Sequence, residues 1–395
     1  MRVGINCLQV DPSFVGGVTS YTVGLLQGFA HVRNGCRFRV YVTAENQHLF
    51  ETLRTHDHFG VVVTDGPGLS LKRTICRATS LLSSRSLYKL ATDLAFKLPR
   101  EMMDAECDLI YTPTATLQWF DSHKPTVLSM HDIQHVHYPE FFSWARRLSR
   151  RITYGLSAKY ATYFQASSQF IKDDLLNQFR EVTPEQIEVI PEGVAIEEFA
   201  GPRATETLAV RYSLPEQFLF YPAQFWPHKN HLTVLRALKH METKDGLKIP
   251  LVLTGGKFSA APKIFDFIAD QSMDYVHYLG KVPFEDLVAL YQKASFLITA
   301  ALYEASSLPI LEAAAAGTPI IASRTPPNQE ASRVLQLNLF NPLDPEELAR
   351  LILALWKDDK TASAQAAYNR QHITVYSWKN AARKYVHFFE RIVGS

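Results

Sequence analysis

The stretch ASFLITAALYEASSLPILEAAAAGTPIIAS, residues 294–323, contains the local pattern that decides the fold. An apolar run rich in strand-forming residues opens it, and a polar loop follows. Pro309 suits the first turn of a helix, Gly317 suits its end, and Ser306 or Ser307 can cap it. A second apolar strand follows the glycine. A strand, a helix and a strand in this order are typical of a parallel sheet covered by helices.

The same alternation of short apolar strands and amphipathic helices runs through the whole chain. Strands are predicted at 2–8, 38–43, 61–64, 109–112, 126–130, 162–166 and 188–190, and again at 218–222, 251–254, 276–279, 296–299 and 320–322. Helices are predicted at 19–29, 231–241, 284–293, 345–357 and 378–392. Buried strands separated by helices form parallel sheets that are covered on both faces. The two series predict an α/β protein with two doubly wound, Rossmann-like domains that face each other across a cleft.

The boundary between the domains is predicted where periodicity is lost, in the glycine- and proline-containing segment 192–214. We expect an N-terminal domain at 1–200 and a C-terminal domain at 201–375. A final helix at 376–395 lies beyond the last strand. In open parallel sheets, ligands bind beyond the carboxyl ends of the strands. Functional residues are therefore expected in the loops that follow strands.

Composition argues against several classes of protein. Of the 395 residues, 47% are hydrophobic and 20% are charged, which is ordinary for a globular chain, and the net charge of +2 indicates no nucleic-acid partner. The four cysteines are far apart, which favours reduced thiols over disulfides or zinc. The N-terminus lacks the features of a signal peptide, and no apolar run is long enough to span a bilayer. We expect a cytoplasmic protein whose contact with the inner face of the membrane, if any, is peripheral.

Two glutamates in the opening stretch are candidate ligand-binding residues. Glu304 is in the strand-to-helix loop, and Glu312 is about one turn into the helix. The free N–H groups around Ser307 and Leu308, at the helix N-terminus, favour an anionic phosphate. Carboxylates accept hydrogen bonds from sugar hydroxyls. The alternative is an acidic first turn that complements the helix dipole, which explains Glu312 well but Glu304 poorly, because Glu304 precedes the helix.

This pattern resembles the signature of the retaining glycosyltransferases of group 1, which form family 4 in the sequence-based classification. The family has two glutamates separated by seven residues in a Glu-Gly-Phe-Gly-Leu-Pro loop. Glu304 and Glu312 have this separation, and Leu308-Pro309 and Gly317-Thr318-Pro319 match the surroundings. The loop departs from the pattern, since Ala305-Ser306-Ser307 replaces Gly-Phe-Gly. The resemblance implies the GT-B fold and an enzyme similar to mannosyl- or rhamnosyltransferases. It also implies that domain 1–200 is the acceptor side, that domain 201–375 binds the nucleotide sugar, and that the final helix at 376–395 crosses back to the first domain.

A second segment, YPAQFWPHKNHLTVLRAL at 221–238, contributes candidate ligands for the donor diphosphate. In the family, an arginine and, five residues later, a lysine follow the first strand of the C-terminal domain and contact the diphosphate. Lys229 occupies the lysine position, and Gln224 replaces the arginine. The alternative for Lys229 is a solvated loop lysine. Its position after a strand and just before a helix favours the functional role.

The loop after the first strand contains Gly16 and Gly17. A glycine pair lets the backbone approach a ligand closely, although a plain turn explains the pair as well. In the family, this loop lies beside the donor phosphates and the acceptor. The segment lacks the GxGxxG fingerprint and an acidic partner for ribose, which argues against a nicotinamide dehydrogenase.

His131 and Asp132 follow the predicted strand 126–130. Family members often have a histidine here, near the donor sugar, and a histidine at a strand end can donate a hydrogen bond or act as acid or base. Asp132 is a candidate contact to the sugar or the acceptor. His135 and His137 raise zinc as an alternative. No carboxylate or cysteine is clearly placed with them, so we expect no metal.

The resemblance implies transfer of a sugar from a nucleotide diphosphate sugar to a glycan or lipid-linked acceptor, with retention of configuration, as in polysaccharide or O-antigen synthesis. It implies no metal or other cofactor. Glu304 and His131 are then the catalytic candidates, Lys229 with Gln224 stabilises the leaving diphosphate, and Glu312 binds the ribose. Two alternatives stay open: a non-catalytic module of the same fold that binds sugar nucleotides or glycans, and another two-domain sugar-nucleotide enzyme such as an epimerase.

Two basic segments of the N-terminal half suggest a membrane contact. Segment 68–100 has seven basic residues and one acid, and segment 141–160 has five basic residues and no acid. The alternative is a pair of solvated amphipathic helices that cover their own core. A basic amphipathic surface can instead rest on anionic lipid, which would bring the enzyme to a lipid-linked acceptor.

Overall fold

The computed structural model describes residues 1–12, 17–32, 35–64, 78–81, 84–201 and 205–394. The chain divides into two compact units. The first unit comprises Met1–Gly193 and Trp378–Ser395, and the second comprises Val194–Ser377. Each unit is built on a parallel sheet with helical connections, so the predicted α/β class with two doubly wound domains is confirmed. The expected domain limits and the cleft stay predictions.

The first unit contains seven described strands, which pair in parallel. They are β1 (Arg2–Asn6), β2 (Arg37–Val42), β3 (Phe59–Val63), β4 (Leu109–Thr112), β5 (Thr126–Ser129), β6 (Tyr163–Ala166) and β7 (Ile187–Val189). Its principal helices are α1 (Gly17–Ala30), α2 (Arg85–Ala95), α3 (Lys97–Glu106), α4 (Gln134–His137), α5 (Trp144–Tyr160) and α6 (Gln169–Gln178). The sheet order is β3-β2-β1-β4-β5-β6-β7. The order reverses between β1 and β4, which is where open sheets of this type bind ligands.

The second unit contains six described strands, also parallel. They are β8 (Leu219–Pro222), β9 (Leu251–Thr254), β10 (Val276–Tyr278), β11 (Phe296–Thr299), β12 (Ile320–Ser323) and β13 (Asn338–Phe340). Its helices are α7 (Ile196–Ala200), α8 (Thr205–Arg211), α9 (His231–Asp245), α10 (Ala261–Asp270), α11 (Phe284–Lys293), α12 (Leu308–Ala316), α13 (Pro326–Ala331), α14 (Pro345–Trp356) and α15 (Asp359–His372). The sheet order is β10-β9-β8-β11-β12-β13, with its reversal between β8 and β11.

Alternate residues of these strands enter two separate apolar cores, one on each face of the second sheet. Leu219 and Tyr221 of β8 belong to one core, and Phe220 between them belongs to the other. Ile298 and Leu297 of β11 divide in the same way. Since side chains alternate across a strand, a run that is apolar on both faces is buried by helices on both sides.

The last helix, α16 (Trp378–Gly394), belongs to the first unit although it ends the chain. It packs on α1 at two glycines that lie one turn apart. A Cβ added at Gly24 would overlap the Trp378 ring, and a Cβ added at Gly28 would overlap the Trp378 carbonyl. The buried Tyr385 hydroxyl of α16 lies 3.2 Å from that of Tyr111 in β4. Close helix approach and a buried hydroxyl contact therefore hold α16 against this sheet.

The predicted strands are all present, and their ends agree with the prediction to within two residues. The predicted helix at 284–293 is present with the same bounds, and α9 is longer than predicted. Strand β13 was not predicted, because it has three residues and begins with an asparagine, so it offers no apolar periodicity.

Candidate functional site

The switch point of the second sheet collects most of the predicted site residues. β8 and β11 are neighbours at the point where the strand order reverses. The loop after β8 carries Gln224 and Lys229, and the loop after β11 carries Glu304. Because both strands are parallel, the two loops leave the same edge of the sheet. This edge is where ligands bind in sheets of this type.

Lys229 and Glu304 form a close ion pair, with 2.6 Å between Lys229 Nζ and Glu304 Oε1. The side chains are 20% and 11% exposed, respectively. A pair this sheltered is screened less than a surface pair. The two residues are 75 positions apart in the chain, and the structure brings them together.

The loop that carries Lys229 is bonded directly to the end of β11. The buried Tyr221 hydroxyl donates to the Lys229 carbonyl and accepts the Ala300 N–H. Asn230 has a left-handed backbone with φ of 56°, and its amide donates to the carbonyls of Ala300 and Pro342 at 3.1 and 2.8 Å. Asparagine tolerates this conformation better than most residues. These bonds hold the Lys229 backbone at a defined position beside the Glu304 loop.

Gln224 is held by an aromatic neighbour in the same loop. The Trp226 indole N–H donates to Gln224 Oε1 at 3.0 Å, and the Trp226 ring stacks on Phe258 with centroids 4.1 Å apart. Since an indole nitrogen only donates, this bond assigns the amide orientation and directs Gln224 Nε2 away from Trp226. Gln224 is therefore a neutral amide where the resemblance predicts a positive charge.

The N-terminus of α12 carries Ser307 and Leu308. Of the two predicted caps, Ser307 occupies the N-cap position, but its side chain makes no capping hydrogen bond. That hydroxyl is buried and has no hydrogen-bond partner within the part of the chain that the structure describes. Pro309 has no N–H, and the Ile310 N–H bonds the Ser307 carbonyl at 3.0 Å. Ser307 Oγ and the Leu308 N–H are therefore the candidate donors to an anion at this helix end.

Glu312 lies one turn into α12, as predicted, and is half-buried. Its Oε2 accepts a hydrogen bond from the Tyr291 hydroxyl at 2.5 Å. Burial raises the pKa of Glu312 to about 7, although the Tyr291 hydrogen bond acts to lower it. The two glutamates thus differ in their partners, since Glu304 bonds a lysine and Glu312 bonds a buried tyrosine.

His131 follows β5 in the first unit. Its Nε2 donates to the Pro113 carbonyl at 2.7 Å, so the neutral ring carries its proton there. Its Nδ1 is 4.0 Å from Glu192 Oε1, and its ring meets the edge of Tyr21. Burial lowers the pKa of His131, against the opposing effects of the Pro113 carbonyl and Asp132. The imidazole ring of His131 is therefore neutral near pH 7.

Asp132 is engaged within the first unit. Its Oδ1 accepts from Arg150 and from the Gln134 N–H, each at 3.1 Å. Burial acts to raise the pKa of Asp132, but the Arg150 charge and these hydrogen bonds outweigh it and the pKa is lowered. Arg150 also stacks over Phe142, at 4.8 Å from the ring centroid. The role of Asp132 toward a sugar or acceptor stays a prediction.

The neighbouring histidines have different surroundings. His135 is buried against the edge of Tyr154, and burial lowers its pKa to about 4. His137 Nε2 is 2.8 Å from Asp174 Oδ2. Within the described ranges, no three metal-ligating side chains gather at one point. Gly17 begins α1 with open space at its Cβ position, whereas Gly16 lies outside the described residues.

Four residues that hold the candidate site were not predicted from the sequence: Tyr221, Trp226, Asn230 and Tyr291. Three of them lie in or beside the segment already singled out around Lys229, so that segment was the available signal. Tyr291 lies in α11, and nothing in its local sequence indicates contact with Glu312. Only the packing of α11 beside α12 reveals it.

Two family models match the chain. Glycosyltransferase Family 4 matches residues 15–198, and Glycosyl transferases group 1 matches residues 210–372. Among curated relatives, a D-inositol 3-phosphate glycosyltransferase of Corynebacterium urealyticum is 28% identical over 52% of this chain and 51% of its own length. The O-antigen chain mannosyltransferase B of Escherichia coli is 26% identical over 46% of this chain and 48% of its own length. The chain thus spans about half the length of these relatives.

Solved structures share the fold. Anabaena Alr3699/HepE in complex with UDP and glucose has a TM-score of 0.72 and 17% identity, over 99% of this chain and 100% of that chain. WaaG, a glycosyltransferase involved in lipopolysaccharide biosynthesis, has a TM-score of 0.68 and 15% identity, over 100% of both chains. At these identities the likeness is one of fold, and the fold is the GT-B type.

Proposed function

We propose that this chain, which belongs to the glycosyltransferases of group 1 and family 4, transfers a sugar from a nucleotide diphosphate sugar to a glycan or lipid-linked acceptor. The observation that carries the proposal is the Lys229–Glu304 pair at the switch point of the second sheet. A cation, a carboxylate and a helix N-terminus at one sheet edge match the phosphates and hydroxyls of such a donor.

The second unit supplies donors for the leaving diphosphate. Lys229 provides a positive charge, Gln224 Nε2 a neutral donor, and the N-terminus of α12 contributes Ser307 and the Leu308 N–H. Negative charge develops on the diphosphate as the glycosidic bond breaks, and preorganised donors stabilise it. This set acts through protein groups, without a metal ion or other cofactor.

The glutamates take separate roles in this proposal. Glu312 accepts hydrogen bonds from the ribose hydroxyls, and Glu304 binds the donor sugar and steadies positive charge at its anomeric carbon. His131 is the proposed residue for orienting sugar and acceptor, and Gly16 and Gly17 are the proposed phosphate-loop residues, of which Gly16 lies outside the described residues. The acceptor attacks on the face that the diphosphate leaves, so configuration is retained.

The donor sugar is proposed to be a hexose, with mannose or rhamnose as the first candidates. Two relatives support mannose: the O-antigen chain mannosyltransferase B, and an MMP alpha-(1->4)-mannosyltransferase of Mycolicibacterium hassiacum, which is 28% identical over 56% of this chain and 52% of its own length. O-antigen or other polysaccharide synthesis is the proposed setting.

The decisive experiment incubates the chain with a panel of UDP-, GDP- and dTDP-sugars and measures nucleotide release without acceptor. We expect slow hydrolysis of one donor, and faster release when a suitable glycan or lipid-linked acceptor is added. Proton coupling constants of the product then report the anomeric configuration. Nucleotide binding without release would favour the binding module, and conversion of the sugar without release would favour an epimerase.

A peripheral membrane contact through the first unit completes the proposal. On α2, Leu87, Leu90 and Leu94 have the spacing of one helix face, and they are 49–64% exposed. Leu98 at the start of α3 is 59% exposed. Arg85 and Lys97 lie exposed on the same helices. Among the described helices, none combines the length and apolar character needed to cross a bilayer. We propose that this surface rests on the anionic inner face of the membrane.

Helix α5 adds exposed positive charge. Arg146, Arg147, Arg151 and Lys159 are exposed, and Trp144 at the start of the helix is 68% exposed. Arg150 differs, because it bonds Asp132 inside the unit. Lys72, Arg73 and Arg77 of the first basic segment lie outside the described residues.

Vesicle sedimentation tests this contact. We expect salt-sensitive binding to anionic vesicles and none to neutral ones, with each basic residue near the surface contributing on the order of 1 kcal/mol. Charge reversal of Arg146, Arg147 and Arg151 to Glu should abolish binding. Reversal of three exposed lysines of the second unit is the matched control and should have little effect: Lys244, Lys357 and Lys360. No binding to either vesicle type would favour a soluble acceptor.

A further inference from the structure

Tyr291 is a buried tyrosine whose hydroxyl reaches the proposed nucleotide site from the neighbouring helix. It lies near the end of α11, is fully buried, and packs edge-on against Phe199 and Phe220 with centroids 5.6 and 5.1 Å apart. Its carbonyl accepts the Thr318 hydroxyl at 2.6 Å. Backbone and ring are both held, so the Tyr291 hydroxyl has a defined position.

The bond from Tyr291 to Glu312 Oε2, at 2.5 Å, restrains the carboxyl group. The terminal torsion of a glutamate is broad when nothing restrains it. With Oε2 tied to a buried ring, the plane of the carboxyl is set and Oε1 is directed away from Tyr291. An ionised carboxylate has about four acceptor sites, so the tyrosine bond leaves sites for two hydroxyls.

We infer that Tyr291 is a positioning residue, which orients Glu312 to receive the vicinal hydroxyls of the nucleotide ribose. The inference rests on the proposed function, in which Glu312 is the ribose ligand. A vicinal diol presents two donors at a fixed spacing. It should therefore bind more tightly to a carboxyl group held in one orientation than to one that rotates freely. The Tyr291 ring itself does not touch the nucleotide in this arrangement.

The same bond affects the charge of Glu312. Burial raises the pKa of this carboxyl to about 7, and the Tyr291 hydrogen bond opposes that rise. The hydroxyl therefore favours the ionised form, which accepts hydrogen bonds at both oxygens. Removing the hydroxyl should both free the carboxyl to rotate and move its pKa upward.

The test measures calorimetric affinity for UDP and GDP from pH 5.5 to 8.5 in Y291F, E312Q and the double variant. Y291F should bind roughly tenfold more weakly at pH 7, because the unrestrained carboxylate of Glu312 should lose about one of its hydrogen bonds to the ribose. Its midpoint of pH dependence should shift upward. In kinetics, KM for the donor should rise while kcat changes little. In E312Q, residue 312 no longer titrates. Any pH dependence of nucleotide affinity that remains in this variant therefore comes from titration of the nucleotide phosphate.

Tyr275→Phe is the matched control, since Tyr275 is also buried in the second unit and donates to a glutamate, Glu242, at 3.0 Å. It should leave nucleotide affinity unchanged. If Y291F weakens binding equally in the E312Q background, or leaves affinity and midpoint as in the wild type, the positioning role is wrong. If E312Q itself binds normally, the proposed ribose role of Glu312 fails, and the inference falls with it.

Discussion

Replacing Glu312 with glutamine should stabilise the second unit, and by more at alkaline than at acidic pH. Burial raises the pKa of Glu312 from 4.5 to about 7 on folding. The folded state therefore binds more protons than the unfolded state between these values, so stability falls as pH rises through this interval and stays low above it. Glutamine does not titrate and keeps both the volume and an acceptor for Tyr291.

The size of the effect follows from the two pKa values. Each pKa unit corresponds to 1.36 kcal/mol. After discounting for the partly exposed side chain, we expect the difference in free energy of unfolding between E312Q and wild type to be about 2 kcal/mol larger at pH 8.5 than at pH 5. For a unit of this length, roughly 2–4 °C accompanies each kcal/mol, so the melting temperature of E312Q relative to wild type should rise by roughly 4–8 °C between these pH values.

Scanning calorimetry of the whole chain at pH 5, 7 and 8.5 provides the measurement. E242Q is the control, because the pKa of Glu242 is lowered, chiefly by Lys239, so the carboxylate is largely ionised in both states across this range. The difference in melting temperature between E242Q and wild type should be nearly the same at the three pH values. If the difference in melting temperature between E312Q and wild type is also independent of pH, Glu312 does not have a raised pKa and the reasoning is refuted.

Three further outcomes are expected. Lys229→Ala should lower turnover by roughly 10²–10³-fold, as for the loss of one preorganised donor, while Lys248→Ala, which breaks a 2.8 Å ion pair elsewhere, should change it less than about twofold. Glu304→Gln should lower kcat but leave the affinity for free nucleotide intact in calorimetry; loss of that affinity would mean that the roles of the glutamates are wrongly assigned. Gly28→Ala should destabilise the first unit by about 1–3 kcal/mol in thermal melting, because its Cβ would overlap the backbone of α16, whereas Gly17→Ala, with open space, should cost less than about 0.5 kcal/mol.

The fold class could be predicted from the sequence because its signal is local. Strands that are apolar on both faces and alternate with helices indicate helix-covered parallel sheets, and twelve such runs were found where strands occur. The position of Glu312 in a helix was also readable, since Pro309 and Gly317 mark that helix at its two ends. The loop positions of Glu304 and Lys229 could be predicted because each residue follows the end of a predicted strand.

The order of the strands could not be read in this way. Periodicity describes which residues are buried, but not which strands are neighbours, and the reversal between β8 and β11 is what joins the two loops. The pairing of Lys229 with Glu304 depends on that order. Local sequence was also insufficient for Arg150. It was counted among the basic residues of segment 141–160, whereas in the structure it forms an ion pair with Asp132.

The sequence by itself determined the elements of this protein and the loops in which its chemistry lies, because both depend on residues that are neighbours along the chain. Only the tertiary structure decided which of those residues meet. It paired Lys229 with Glu304, left the Ser307 hydroxyl without a partner in the described chain, and placed Tyr291 against Glu312. The physical reason is that hydrogen bonds, ion pairs and burial depend on distance in space, and the packing of α11 beside α12 has no counterpart in local sequence.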